Sequence, residues 1–141
     1  MYKALLSLVL TLAVMPLAAK DITINANDQM QFDVTDIKVN AGEDINLTLN
    51  HTGKLGKNVM GHNVVILTKG ADTKAFAQKA QKAKDNDYIP KNSDKVIAHT
   101  KVIGGGESDS ISFKIDEAGT YEFICSFPGH SFVMKGTITV E

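Results

Sequence analysis

The sequence contains no arginine: all 15 basic residues are lysines, and the formal net charge is -1. Arginine is favoured where phosphate or carboxylate groups are bound in a bidentate manner, because its planar guanidinium presents a rigid fork of donors. Nucleic-acid-binding domains also tend to carry a pronounced basic surface. The lack of arginine and the near-neutral charge therefore argue against nucleic acid as a partner.

The chain also has a single cysteine, Cys125, so no disulfide can form within it. This is notable because the N-terminus has the pattern of a secretory signal. Lys3 is followed by a largely apolar stretch over residues 4–14 and by small residues up to position 19, which is typical of a segment that a signal peptidase removes. A membrane anchor is the alternative, but a span needs about 20 apolar residues and this run is shorter.

We therefore predict a signal peptide over residues 1–19, cleaved before Lys20, and no stable membrane insertion afterwards. Removal of Lys3 would leave 14 lysines against 16 acidic residues, a formal charge of 14 − 16 = −2. An exported protein usually meets an oxidising compartment, where cysteines form pairs. Cys125 is then an inert buried thiol, a link to another chain, or a residue retained for its chemistry.

Residues 20–141 alternate polar and apolar positions in short runs, and their length suits one domain. Period-two alternation predicts strands with one buried face, and glycine-containing turns separate the runs. This pattern predicts an all-β antiparallel sandwich or barrel. The predicted strands cover 22–24, 30–34, 45–49, 111–115 and 121–125, with 63–68 as a strand covered on both faces.

One segment has helical spacing instead. Over residues 72–85 the apolar positions include Phe76, Ala77, Ala80 and Ala83, and Asp72 or Thr73 can cap the start. We predict one inserted helix that packs Phe76 onto the sandwich, with its lysines forming a solvated face.

The segment CSFPGHSFVM (125–134) places Cys125 on the inward face at the end of one strand and Met134 on the inward face of the next. The turn at 128–129 can bring the His130 ring back beside both sulfur atoms. A thiolate, a weak axial thioether and two imidazoles form the ligand set of blue-copper electron-transfer sites. Zinc would more often recruit a fourth cysteine, histidine or carboxylate.

A second histidine is needed for such a site, and His62 in NVMGHNVV is the best candidate, because it stands where a turn ends and a buried strand begins. His51 and His99 are more simply interpreted as hydrogen-bonded structural histidines.

CSFPGH, SFVM and NVMGHN together resemble the azurins, small periplasmic members of the cupredoxin family. The similarity runs from around Ile22 to the C-terminus and includes NDQMQF (27–32) and MKGTITV (134–140). The loop spacing is its most specific element, with four residues between Cys125 and His130 and three between His130 and Met134. The resemblance implies a Greek-key β-sandwich or barrel with one inserted helix over residues 20–141.

The resemblance also implies one type 1 copper ion, with His62, Cys125 and His130 as equatorial ligands. Met134 would be a long axial ligand, and the backbone carbonyl of Gly61 a weak one on the opposite side. The backbone amides of Asn63 and Phe127 would donate to the cysteine sulfur, and the Asn63 side chain would join the two ligand loops.

A periplasmic electron carrier that cycles between Cu(II) and Cu(I), and not an enzyme, is the function that the resemblance implies. Its partners would be redox proteins such as c-type cytochromes and periplasmic reductases, bound transiently by a monomer. His130 would lie at the surface within an apolar docking patch made of Met30, Leu55, Val59, Met60, Phe127, Pro128, Phe132 and Val133.

Two features depart from the azurin pattern. Azurins carry a disulfide near the N-terminus, and both of its cysteines are absent here. A crosslink of that kind contributes roughly 3 kcal/mol to stability. Val64 also stands where the best-known azurins place a buried tryptophan, and this chain has no tryptophan.

Three alternative functions can each be distinguished from an electron carrier by a specific feature. A cysteine hydrolase with a Cys125–His130 dyad would need oxyanion donors and a third orienting residue, and none can be assigned. A copper chaperone or storage protein would bind Cu(I) at an exposed site and would lack intense colour. A purely structural adhesion sandwich would not explain the ligand spacing.

Overall fold

The computed structural model describes residues 11–15 and 18–141. The signal segment predicted over 1–19 therefore lies largely outside the described residues. Within the described part of the chain, no helix has the length and apolar character needed to cross a membrane.

Within residues 18–141, eight strands form two sheets. The three-stranded sheet has the order β1-β3-β6 and the five-stranded sheet the order β2-β8-β7-β4-β5. The β1/β3 and β2/β8 pairs are parallel and the other pairs are antiparallel. The predicted fold class, an all-β sandwich with one inserted helix, is confirmed. The strands are β1 (Lys20–Ala26), β2 (Asp36–Val39), β3 (Asp44–His51), β4 (Val65–Leu67), β5 (Val96–His99), β6 (Ser108–Lys114), β7 (Gly119–Ile124) and β8 (Lys135–Val140).

The main core lies between the sheets and follows directly from the period-two alternation. In β3, for example, Ile45, Leu47, Leu49 and His51 are buried while the residues between them are more exposed. Phe123 from the other sheet belongs to the same core cluster. Burial of such side chains supplies most of the driving force for folding, at roughly 25 cal/mol per Å² of apolar surface.

A second apolar cluster explains why β4 is buried on both faces. Helix α2 (Thr73–Ala80), which follows the single helical turn α1 (Lys57–Met60), covers the outer side of the five-stranded sheet. Asp72 caps α2, since its Oδ1 accepts the Ala75 N–H at 2.9 Å. The helix is shorter than predicted, because the chain turns after Ala80 and forms a 3-10 turn at Lys84–Asn86. The second cluster consists of Val65, Leu67, Phe76, Ala80, Ile89 and Ile124.

The prediction of a strand over residues 30–34 was wrong. Met30 has a left-handed φ of 56°, and Phe32 makes only an isolated bridge to Ala26. The reason is local: the Asn27 side chain accepts the N–H groups of Gln29 and Gln31, and such bonds compete with a sheet ladder. The strand in this region is β2, which begins at Asp36.

Candidate metal centre

Three side chains that can bind a metal meet at one end of the sandwich. His62 lies just before β4, and Cys125 follows β7. Because β4 and β7 pair with Val65 opposite Ile124, the sheet register places these two residues close together. His130 begins the 3-10 turn His130–Phe132 between β7 and β8. The potential ligand atoms of His62, Cys125 and His130 all lie within 4.8 Å of one another.

The spacing of these atoms fits a single metal ion. The Cys125 Sγ atom lies 4.0 Å from Nδ1 of His62 and 3.7 Å from Nδ1 of His130. A metal about 2.0–2.3 Å from its nitrogen and sulfur donors, with angles near 120°, separates the donors by about 3.5–4 Å. His62 and Cys125 are fully buried and His130 is 4% exposed, so the donors face one another in a largely dry site.

The orientation of the His62 ring is set by the backbone. Its Nε2–H donates to the carbonyl oxygen of Asn27 at 2.7 Å, which leaves the Nδ1 lone pair directed to the centre. Hydrogen bonds of this type fix the tautomer of metal-binding histidines.

The other two histidines are outside the cluster. The His51 ring stacks on His62 with centroids 4.5 Å apart. His51 donates from Nε2 to the carbonyl of Met60 at 2.8 Å and accepts the Gly53 N–H at Nδ1 at 3.1 Å. His99 lies on β5, with Nδ1 2.9 Å from the carbonyl oxygen of Thr100. Both rings therefore have backbone partners.

Burial governs the protonation of all three candidate ligands. Desolvation raises the pKa of the Cys125 thiol to about 12, although the backbone N–H groups of Asn63 and Phe127 act in the opposite direction. Desolvation lowers the pKa of His62. Desolvation and the nearby His62 also lower the pKa of His130, to about 4. At neutral pH the metal-free site thus holds a neutral thiol and two neutral imidazoles, and a metal has one proton to displace.

Asn63 connects the two loops that carry the cluster. Its Oδ1 accepts the backbone N–H of Ser126 at 2.8 Å, and its Nδ2 donates to the Ser126 hydroxyl at 2.9 Å. Asn63 is fully buried and Ser126 almost so. The Phe127 ring packs against His130 with centroids 4.6 Å apart.

Met134 and Gly61 complete the surroundings of the cluster. Met134 is fully buried just before β8, and its carbonyl accepts the Cys125 N–H at 3.0 Å. The carbonyl oxygen of Gly61 lies 3.9 Å from the cysteine sulfur. A Cβ at Gly61 would come within 2.5 Å of the Lys57 carbonyl oxygen and 2.6 Å of a Val102 methyl, so only glycine fits this close approach.

The end of the sandwich near the cluster is apolar at its surface. From residue 18 onward, five large apolar side chains are exposed, and all belong to the predicted docking patch. Phe132 is 75% and Val133 61% exposed. Of the remaining patch members, Pro128 is exposed and Met60 and Phe127 are half-buried. The five exposed residues are Met30, Leu55, Val59, Phe132 and Val133.

Sequence reasoning missed several groups around the site. The Asn27 carbonyl, the Ser126 hydroxyl and the turn at Asp87 and Tyr88 all bond to residues at or beside the cluster. No sequence signal marks these groups, because each of them meets the site only after folding.

Comparison with known proteins agrees with this geometry. The sequence profile described as "Copper binding proteins, plastocyanin/azurin family" matches residues 18–141. The chain belongs to the plastocyanin/azurin family. As a family member it is a copper-dependent electron-transfer protein and not an enzyme, and the buried His-Cys-His group provides for one copper ion. The predicted family, cofactor and type of function are therefore confirmed.

The similarity to individual azurins extends over most of the chain. The chain is 49% identical to the azurin of Alcaligenes faecalis over 125 residues, which cover 85% of this chain and 97% of that protein. It is 42% identical to the azurin of Pseudomonas aeruginosa over 138 residues, covering 94% and 93% of the two chains. Among solved structures, dithionite-reduced auracyanin from Roseiflexus castenholzii matches with a TM-score of 0.78 and 32% identity, covering 88% of this chain and 98% of that one.

Proposed function

We propose that this chain is an exported electron carrier whose copper ion would be held by His62, Cys125 and His130. Met134, and more weakly the backbone carbonyl of Gly61, would complete the set of groups that hold the ion. The main support is the buried cluster itself, in which the cysteine sulfur lies 3.7 and 4.0 Å from two imidazole nitrogens.

The bound copper supplies a one-electron couple between Cu(II) and Cu(I). Hydrogen bonds within the protein would keep the donors in nearly the same positions in both states. His62 is held by Asn27, and the loops of His62 and Cys125 are joined by Asn63. Burial of the sulfur among apolar groups excludes water and, together with a weak thioether donor from Met134, would favour the reduced state. Because its donors are buried, the centre would be suited to electron transfer and not to binding a substrate.

Electrons enter and leave through the edge of His130, which retains slight exposure while His62 has none. The apolar patch around it, including Leu55 and Val133, is the docking surface. We infer that c-type cytochromes and periplasmic reductases bind there as transient partners of a monomer. Such carriers use small interfaces, typically below about 1,200 Å² of total buried area, because release has to be fast.

The site of action is the periplasm. The signal pattern over residues 1–19 supports export. The first strand begins at Lys20, so cleavage before this residue would leave the domain whole.

The visible spectrum of the copper-loaded protein tests the proposal. Adding Cu(II) to the purified mature protein should produce an intense thiolate-to-copper charge-transfer band and a narrow copper hyperfine splitting in the EPR spectrum. Cys125→Ser and His62→Gln should each lose the band, whereas His99→Gln, at a histidine outside the cluster, should retain it. A colourless wild-type product would exclude the blue-copper carrier and favour the storage or chaperone alternative.

A further inference from the structure

The segment inserted between β4 and β5 contains a strained turn. Asp87 and Tyr88 both adopt left-handed backbone conformations, with φ of 52° and 54°. Residues other than glycine seldom adopt this conformation, and two in succession are disfavoured by steric contact of Cβ with the following carbonyl. Such strain persists only where the surrounding structure holds it, and it often occurs at functional sites.

The carbonyl groups of this turn bond to the two side chains that link the metal-binding loops. The Asp87 carbonyl accepts Asn63 Nδ2 at 3.0 Å, and the Tyr88 carbonyl accepts the Ser126 hydroxyl at 2.8 Å. That hydroxyl also accepts from Asn63 Nδ2, and Asn63 Oδ1 accepts the Ser126 N–H. The turn therefore closes a network that runs from the residue after His62 to the residue after Cys125.

The Asp87 side chain ties the turn to a third part of the site. Its Oδ1 accepts the backbone N–H of Val102 at 3.0 Å. The next residue, Ile103, exchanges two backbone hydrogen bonds with His62, at 3.0 and 2.9 Å. A shift of the turn would thus displace Asn63, which follows His62 in the chain, and the segment at Val102 and Ile103, which pairs with the His62 backbone.

Packing holds the turn against the strands that carry the ligands. The inserted segment buries Phe76 and Ile89 against β4 and β7, in one cluster with Val65 and Ile124. The Tyr88 ring meets the Phe127 ring edge-on, with centroids 5.2 Å apart. The insertion therefore spans the two strands whose ends position His62 and Cys125.

We propose that the Asp87–Tyr88 turn is a positioning element of the metal centre: it fixes Asn63 and Ser126, and through them the separation of the His62 and Cys125 loops. This inference rests on the proposed ligand set. The two residues bond to Asn63 and Ser126, and their effect on the metal-binding loops is transmitted by these buried hydrogen bonds. The insertion then acts on the redox site as well as covering the sheet.

Asp87→Gly tests the idea without adding strain, because glycine adopts a φ of this size freely while the bond to Val102 is lost. Asp87→Asn keeps an acceptor oxygen and tolerates the left-handed conformation, so it should behave like the wild type. Asn92→Gly is the matched control, since Asn92 is an exposed residue of the same insertion with a φ of 56°.

Two measurements are needed, one of them independent of copper. In the copper-free protein, amide hydrogen exchange at Ser126 should be about tenfold faster in Asp87→Gly, the effect of weakening one buried hydrogen bond. Exchange should be unchanged in Asp87→Asn and Asn92→Gly. In the copper-loaded protein, Asp87→Gly alone should alter the copper hyperfine splitting and shift the reduction potential.

The outcomes separate this inference from the proposed function. If the wild type fails to develop the charge-transfer band, the ligand assignment fails, whatever the variants do. If the wild type is blue but Asp87→Gly matches it in Ser126 exchange and in hyperfine splitting, the turn does not position the site. Equal effects of Asp87→Gly and Asn92→Gly would reflect general loosening of the insertion and would likewise overturn the inference.

Discussion

The Nε2 atom of His62 lies 2.7 Å from the carbonyl oxygen of Asn27. This bond leaves Nδ1 as the only nitrogen of the ring that can face Cys125. The ring is therefore oriented by a residue that directly follows a strand of the opposite sheet, and it needs no metal to hold it in place. A preorganised site of this kind is what rapid electron exchange requires, because little has to move when the charge changes.

The copper-free protein should lose stability in mild acid. The pKa of His130 falls from 6.5 to about 4 on burial, so the unfolded chain takes up this proton at a higher pH than the folded one. The contribution of the neutral ring to the free energy of unfolding is therefore fully present above pH 6.5. This contribution falls by on the order of 2 kcal/mol as the pH drops towards 4. Urea unfolding of the copper-free protein at pH 7 and pH 4.5 measures this loss.

His130→Asn is the control for that experiment. It removes the titrating ring, so part of the difference between the two pH values should disappear; the remainder includes a contribution from His62, whose pKa is also lowered. An identical pH dependence in the variant would assign the effect to other groups.

Met134→Leu should keep the blue colour and raise the reduction potential. Leucine fills a similar buried volume, but it lacks the thioether, and a weaker axial ligand favours the reduced state. Cyclic voltammetry gives the potential and the visible spectrum gives the colour. Met30→Leu, at an exposed methionine of the docking patch, should leave the potential unchanged. A potential that stays the same or falls in Met134→Leu would remove Met134 from the axial position.

Gly61→Ala should destabilise the protein by about 1–3 kcal/mol, the usual penalty for forcing atoms into a packed site. The added Cβ would lie 2.5 Å from a backbone oxygen of Lys57. At Gly56, a Cβ would have no neighbouring atom within 4 Å, so Gly56→Ala should be close to neutral. Urea unfolding of both variants compares them, and equal stabilities would show that the approach at Gly61 is not tight.

Val133→Glu should slow electron transfer to a c-type cytochrome by about tenfold or more, as expected for loss of a central interface contact. The visible spectrum should not change, because Val133 is exposed and lies outside the ligand cluster. Asn40→Glu introduces the same charge on an exposed residue at the opposite end of the sandwich and should have little effect. Stopped-flow rates distinguish the two, and equal slowing would indicate a bulk charge effect.

The parts of the fold that the sequence predicts well are those set by periodicity and local spacing. The alternation around Leu47 and Phe123 locates the core strands, because neighbouring residues must point to opposite faces. Asp72 is recognisable as a helix cap because its bond to Ala75 is local. The Cys125-to-His130 spacing indicates a metal loop, since both residues lie on one short connection.

The parts of the structure that the sequence does not predict depend on side chains that meet only after folding. The turn around Met30 is stabilised by Asn27, whose side chain competes with strand pairing. The hydrogen bond between Asn63 and Asp87 joins residues 24 positions apart in the sequence. The turn at Asp87 has no apolar pattern that would predict it. β5 was missed because all four of its residues are half-buried, so alternation is absent.

The complete burial of Cys125 also bears on how a lone thiol would survive in the oxidising compartment to which we propose that the chain is exported. Exchange with disulfides requires both a thiolate and physical access to the sulfur. The folded, copper-free chain offers neither, because the side chain is sealed and its pKa is about 12. Mixed-disulfide formation is thus confined to the interval before folding is complete, and prompt folding would itself keep the thiol reduced until a metal binds.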